Sequence, residues 1–122
     1  MQVSIEFTQN FIEADVTVEV AELADLTKRC FLFSMDLRLD KNLRGILRSM
    51  GGQFRLQLRD LINKVFDENT EELNNANQLI KSLNQELKDA KQSIDKVTDT
   101  IGGLGELASQ LDELLKIVGI II

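Results

Sequence analysis

The sequence predicts a mainly α-helical protein: a small mixed α/β head over 1–53, with a short β-hairpin and a short helix, followed by a long heptad-patterned coiled-coil helix over 54–122. Three observations carry this expectation. Apolar residues recur in alternating steps of three and four from Ile62 to Ile122, the spacing of a helical seam. Proline is absent, so the strongest helix breaker is missing. Strict alternation of β-branched and polar residues is confined to the N-terminal half.

Taking the elements in order, Val3, Ile5 and Phe7 alternate with Ser4, Glu6 and Thr8, and Val16, Val18 and Val20 alternate with Thr17 and Glu19. Period two with β-branched residues predicts two short strands paired as a hairpin. Leu23, Leu26, Cys30 and Phe33 share a helical face, and Met35, Leu37 and Leu39 alternate with Asp36 and Arg38. A short helix followed by a strand is therefore expected over 23–39. Asp40 is placed to cap a second helix whose inward residues are Leu43, Ile46, Leu47 and Met50. Gly51-Gly52 is expected to end it. From Phe54 the period is helical again, with Phe54, Leu58, Leu61, Ile62 and Val65 on one face.

The seam has two registers. One runs Phe66, Leu73, Ile80, Leu87, Ile94, Ile101, Ala108, Leu115 and Ile122; the other runs Ile62, Asn69, Ala76, Leu83, Ala90, Val97, Leu104, Leu111 and Val118. Asn69 is the one polar member, and either fixes register or marks where the seam begins. A heptad kept this long is the pattern of helices that supercoil left-handed around one another. An N-terminal head of about 50 residues cannot cover so long a stripe, so self-association is the expectation, with oligomer number and helix orientation open. Gly102, Gly103 and Gly105 interrupt the arm, each costing about 1 kcal/mol in a helix relative to alanine. All three fall outside the seam, and Ile101 and Leu104 keep its register. A continuous but weakened helix is expected there, with a hairpin turn as the alternative. Beyond the glycines the apolar face widens through Leu107, Leu114, Ile117, Ile120 and Ile121. A wider face wants more neighbours than a two-stranded zipper supplies.

Charge divides the chain. Net charge is −6 in all, distributed as −6 over 1–27, +6 over 28–66 and −6 over 67–122. Every arginine lies between 29 and 59. Arg44, Arg48, Arg55 and Arg59 would line one side if their helices were continuous, which makes them the candidate anion-binding group. The acidic flanks offer them partners within the protein, and the overall negative charge speaks against a nucleic-acid partner.

The residues that carry most protein chemistry are missing. Without histidine, the usual general base and commonest metal ligand is gone. Cys30 is the single cysteine, so no disulfide closes within the chain and no Cys–His nucleophile exists. Gly103-Leu104-Gly105-Glu106-Leu107-Ala108 matches a dinucleotide fingerprint only in letters, because no strand precedes it. Residues 67–72 resemble the start of a calcium loop but carry Glu72 where glycine is required. No cofactor and no small-molecule substrate are expected.

The function expected is a non-enzymatic structural or adaptor protein, with itself and another protein as partners. Membrane association through Ile117, Ile120, Ile121 and Ile122 is an alternative, although Glu106, Asp112 and Glu113 would repel anionic lipid. Residues 1–10 lack the basic-then-apolar layout of a signal peptide, and no stretch approaches the roughly 20 apolar residues that span a bilayer. A cytoplasmic location is expected, at most peripheral to a membrane.

Overall fold

A computed structural model describes residues 17–62, 64 and 71–121, the last five as backbone only. Four helices account for most of them: α1 (Val20–Ser34), α2 (Lys41–Leu61), α3 (Glu71–Ala90) and α4 (Lys96–Ile121). The protein is mainly α, as expected, and there is no strand among the described residues. The first half of the expected hairpin, Val3 to Phe7, lies outside them. In the second half, Val18 is buried ahead of α1 and Val20 is already helical.

Each helix follows from its apolar spacing. In α1, Leu23, Leu26, Cys30 and Phe33 are buried at steps of three and four. Its end tightens into i→i−3 bonds, from the Met35 N–H to the Leu32 carbonyl and from the Asp36 N–H to the Phe33 carbonyl. The strand expected over 35–39 is instead a turn. Its alternation is spurious: Met35 and Leu37 are 63% and 84% exposed while Leu39 is buried. No neighbouring strand exists among the described residues to pair with it.

Helix α2 starts where Asp40 caps it, its carboxylate accepting from the Leu43 N–H at 2.8 Å. It does not stop at Gly51-Gly52 but runs unbroken across the expected boundary at 53. The reason is close packing. A Cβ on Gly51 would stand 3.1 Å from the Phe31 ring, so the missing side chain lets α2 lie against α1. That contact, with Phe54 fully buried one turn on, offsets the low helix propensity of glycine. Leu47 is buried as expected, whereas Ile46 sits off the stripe and is exposed.

The arm is not one helix. Leu73, Ala76, Ile80, Leu83, Leu87 and Ala90 form the buried face of α3. The chain then turns over 91–95 before α4 begins. The glycines at 102, 103 and 105 lie inside α4 and do not turn, in agreement with the continuous-helix expectation for that segment. A Cβ on Gly103 would stand 2.7 Å from Leu83 Cδ2, so here too glycine permits close approach of two helices.

The helices form a ring in the order α1, α2, α4, α3, each touching its two neighbours and not its diagonal. Polar bonds fix their directions. Near the start of α1, Asn77 of α3 accepts from the Glu19 N–H at 2.8 Å, and further along Asn84 donates to the Glu22 carbonyl at 2.7 Å. Past the end of α1, Arg38 donates to the Lys91 carbonyl at 3.2 Å. Helices α1 and α3 are therefore parallel. With two antiparallel hairpins, α2 and α4 are parallel as well, and Gln57 of α2 donates to the Ala108 carbonyl at 2.9 Å and to Asp112 at 2.8 Å. The turns at 35–40 and 91–95 lie together at one end of the bundle. One contiguous core runs through it, from Val18 to Leu114.

Candidate interaction surfaces

The seam residues are brought together, but inside one chain. Leu73, Ala76, Ile80, Leu83, Leu87 and Ala90 of α3, and Val97, Leu104, Ala108 and Leu111 of α4, are all buried in the same core. Ile101 and Leu115 are half-buried against it, as is Ile94 in the turn. Ile62 is 49% exposed at the end of α2 and does not join them. Phe66, Asn69 and Ile122 lie outside the described residues, and of Val118 only the backbone is described.

The arginine group gains the condition it needed. Because α2 is unbroken, Arg44, Arg48, Arg55 and Arg59 fall within about 60° of arc and along about 22 Å of one helix. Arg44 is half-buried and donates through Nε to the Leu39 carbonyl at 3.2 Å. Arg59 approaches Asp60 at 3.4 Å, with both side chains at least half exposed. Arg48 and Arg55 are exposed, and no acid of the described residues lies within ion-pair distance of either. Leu56, beside Arg55, is exposed on the same helix.

A second basic feature, not foreseen from sequence, lies at the end of the bundle that carries both turns. A cleft of about 290 Å³ is lined by Arg29, Leu32, Phe33, Asp36, Arg38 and Lys91. Asp36 and Arg38 form a bidentate pair, Nε and Nη2 donating to Oδ1 at 3.0 Å and Oδ2 at 2.6 Å. The Arg38 side chain and its backbone N–H hold the Asp36 carboxyl down at about 2. Arg29 Nε is buried with no hydrogen-bond partner among the described residues. Leu32, Met35 and Leu37 are exposed around the same end. The tip was hidden in the sequence because Leu37 fits the period-two alternation of Met35 and Leu39.

The polar residues that select the helix order were also missed. Asn77 and Asn84 are buried on α3, one heptad apart and flanking the seam, and Gln57 is buried on α2. Their spacing would have shown a polar ridge beside an apolar one, but not which helix it meets. Burial pushes the Cys30 thiol up to about 12, so it is an inert core residue. Ile117, Ile120 and Ile121 extend α4 as backbone, and no helix among the described residues is long and apolar enough to cross a membrane. Among the described residues no group of three or more acidic or cysteine side chains is placed to hold a metal ion. No family model, curated protein or solved structure matches this chain.

Proposed function

We propose that this protein is a non-enzymatic helical adaptor that docks an acidic protein partner along the outer face of α2. The carrying observation is the unbroken arginine stripe, on a helix of net charge +4 in a chain of net charge −6. Guanidinium groups pair bidentately with carboxylates, and Leu56, exposed about 60° of arc beyond the stripe, adds an apolar contact at its edge. Opposed charge of this kind sets encounter rate and orientation more than final affinity. A protein partner fits better than a nucleic acid because α3 and α4 each carry net charge −2 and would repel a polyphosphate.

Poly-glutamate, a short DNA duplex and phosphatidylserine vesicles, each titrated at low and moderate salt, test the reading. Binding to poly-glutamate that weakens with salt and is lost in the Arg48→Gln/Arg55→Gln variant is expected. Failure to bind it, or preference for DNA or vesicles, would sink the proposal.

Self-association through a coiled coil is a second reading. One observation favours it: the heptad register passes without a skip through the turn at 91–95, from Leu87 and Ala90 to Ile94 and Val97.

A further inference from the structure

We propose that the turn at 91–95 is a hinge, and that it straightens to give a domain-swapped dimer in which α3 and α4 become one helix. The proposal deepens the self-association reading and names its partner, a second copy of this chain.

Four observations converge on the hinge. It contains neither glycine nor proline, and no described residue has positive φ. Nothing in its backbone therefore demands a turn. Its entry bonds are long: Lys91, Gln92 and Ser93 N–H reach the Lys88, Asp89 and Ala90 carbonyls at 3.4, 3.3 and 3.2 Å, at or beyond the upper limit of ordinary N–H···O distances, whereas on the exit side Lys96 and Val97 N–H reach the Ser93 and Ile94 carbonyls at 3.0 and 3.1 Å. In a straight helix these donors would form i→i−4 bonds instead. The heptad register is already continuous across the hinge, so a straight 71–121 helix would present one seam about 76 Å long. Ile94, half-buried now, would sit at its centre.

The swap keeps the core. α4 of one copy would occupy the place of α4 in the other, against the partner's α2 and α3, so the two interfaces that α4 makes are remade between chains while α1 keeps α2 and α3 of its own chain. The two long helices would run antiparallel about a two-fold axis near residue 93. That axis places the two 35–40 turns face to face. These turns carry the exposed Met35 and Leu37, an apolar tip that no described residue covers. One contact opposes opening: Arg38 donates to the Lys91 carbonyl, which in the straight helix would accept from the Asp95 N–H.

Two measurements on the full chain test the proposal together. Sedimentation equilibrium compares the wild type with Ser93→Ala/Asp95→Ala, which raises helix propensity in the hinge, and with Gln92→Gly/Ser93→Gly, which lowers it. Dimerisation tightened roughly tenfold or more by the first change, and lost in the second with helicity retained, is expected. Spin labels on Gln78→Cys/Ser109→Cys then report geometry within one chain, the buried Cys30 reacting slowly with the label. In the closed hairpin Gln78 lines one groove with Glu106 and Gln110, the latter next to Ser109 in the chain, so the two labels stand close. In the straight helix they stand about 47 Å apart. Labelled chains diluted in excess unlabelled alanine variant should show the long distance in the dimer. A dimer that keeps the short intrachain distance would overturn the swap and leave self-association standing. A monomer at every concentration, for all variants, would overturn both.

Discussion

The turn at 35–40 is held by side chains, whereas the turn at 91–95 is held by little beyond its own backbone. In the first, Asp40 caps α2, and Asp36 binds both the side chain and the backbone N–H of Arg38. Leu39 is buried beneath it. In the second, Ser93 and Asp95 are exposed and make no side-chain hydrogen bond among the described residues, and the anchoring contact comes from the other turn, through Arg38. One connection is written into its residues as a stop and a restart. The other is a helix bent back because its two halves find a better core together than apart. A heptad seam therefore does not by itself tell a folded hairpin from an extended coil, since both bury the same stripe.

The largest expected effect is on the core that both hairpins share. Phe54→Ala should lower unfolding free energy by about 3–5 kcal/mol in chemical denaturation, because a fully buried ring leaves a cavity. A loss below about 1 kcal/mol would mean that α2 does not pack as described. Next come the caps. Asp40→Ala should cost about 1 kcal/mol, whereas Asp95→Ala should leave monomer stability within about 0.5 kcal/mol. Equal losses would erase the distinction between the turns. The glycines sharpen the second hairpin. Gly102→Ala meets open space and should stabilise by up to about 1 kcal/mol. Gly103→Ala drives its methyl into Leu83, and should destabilise by about 1 kcal/mol as overpacking outweighs propensity.

The smallest effect is electrostatic. The folded carboxyl of Asp36, at about 2, lies below the ordinary aspartate value of about 3.9. Its contribution is thus present above about pH 4 and is lost as pH falls through about 2. An NMR titration of the Asp36 side chain should show that low midpoint, and an ordinary one in the Arg38→Ala variant.

Much of the helix content was legible, and for a definite reason. Burial in a helical bundle follows a 3.6-residue period, so the faces of α1, α3 and α4 could be read directly from Leu23, Leu26, Cys30 and Phe33, and from the seam. Asp40 was legible because a cap needs a particular side chain at a particular place. The turns were not. Gly51-Gly52 looked like a stop, but glycine in a helix has two meanings, chain termination or close approach, and only the position of Phe31 decides between them. The turn at 91–95 carries no glycine or proline signal because its residues keep negative φ. Meeting the arginine stripe required knowing that α2 is continuous, which rests on that same glycine contact. Asn77, Asn84 and Gln57 choose among ring orders through partners more than 50 residues away in sequence, a distance no local pattern spans.

The central claim is that the heptad seam folds back within one chain. The most direct test is a doubly isotope-edited NOE experiment on labelled chains diluted in unlabelled protein, reading contacts between the Leu83 methyl groups and the Gly103 Hα protons. A strong intrachain cross-peak is predicted, because Leu83 Cδ2 lies where a Gly103 side chain would begin. Its absence, with both resonances assigned and the protein helical, would contradict the account and restore the extended helix.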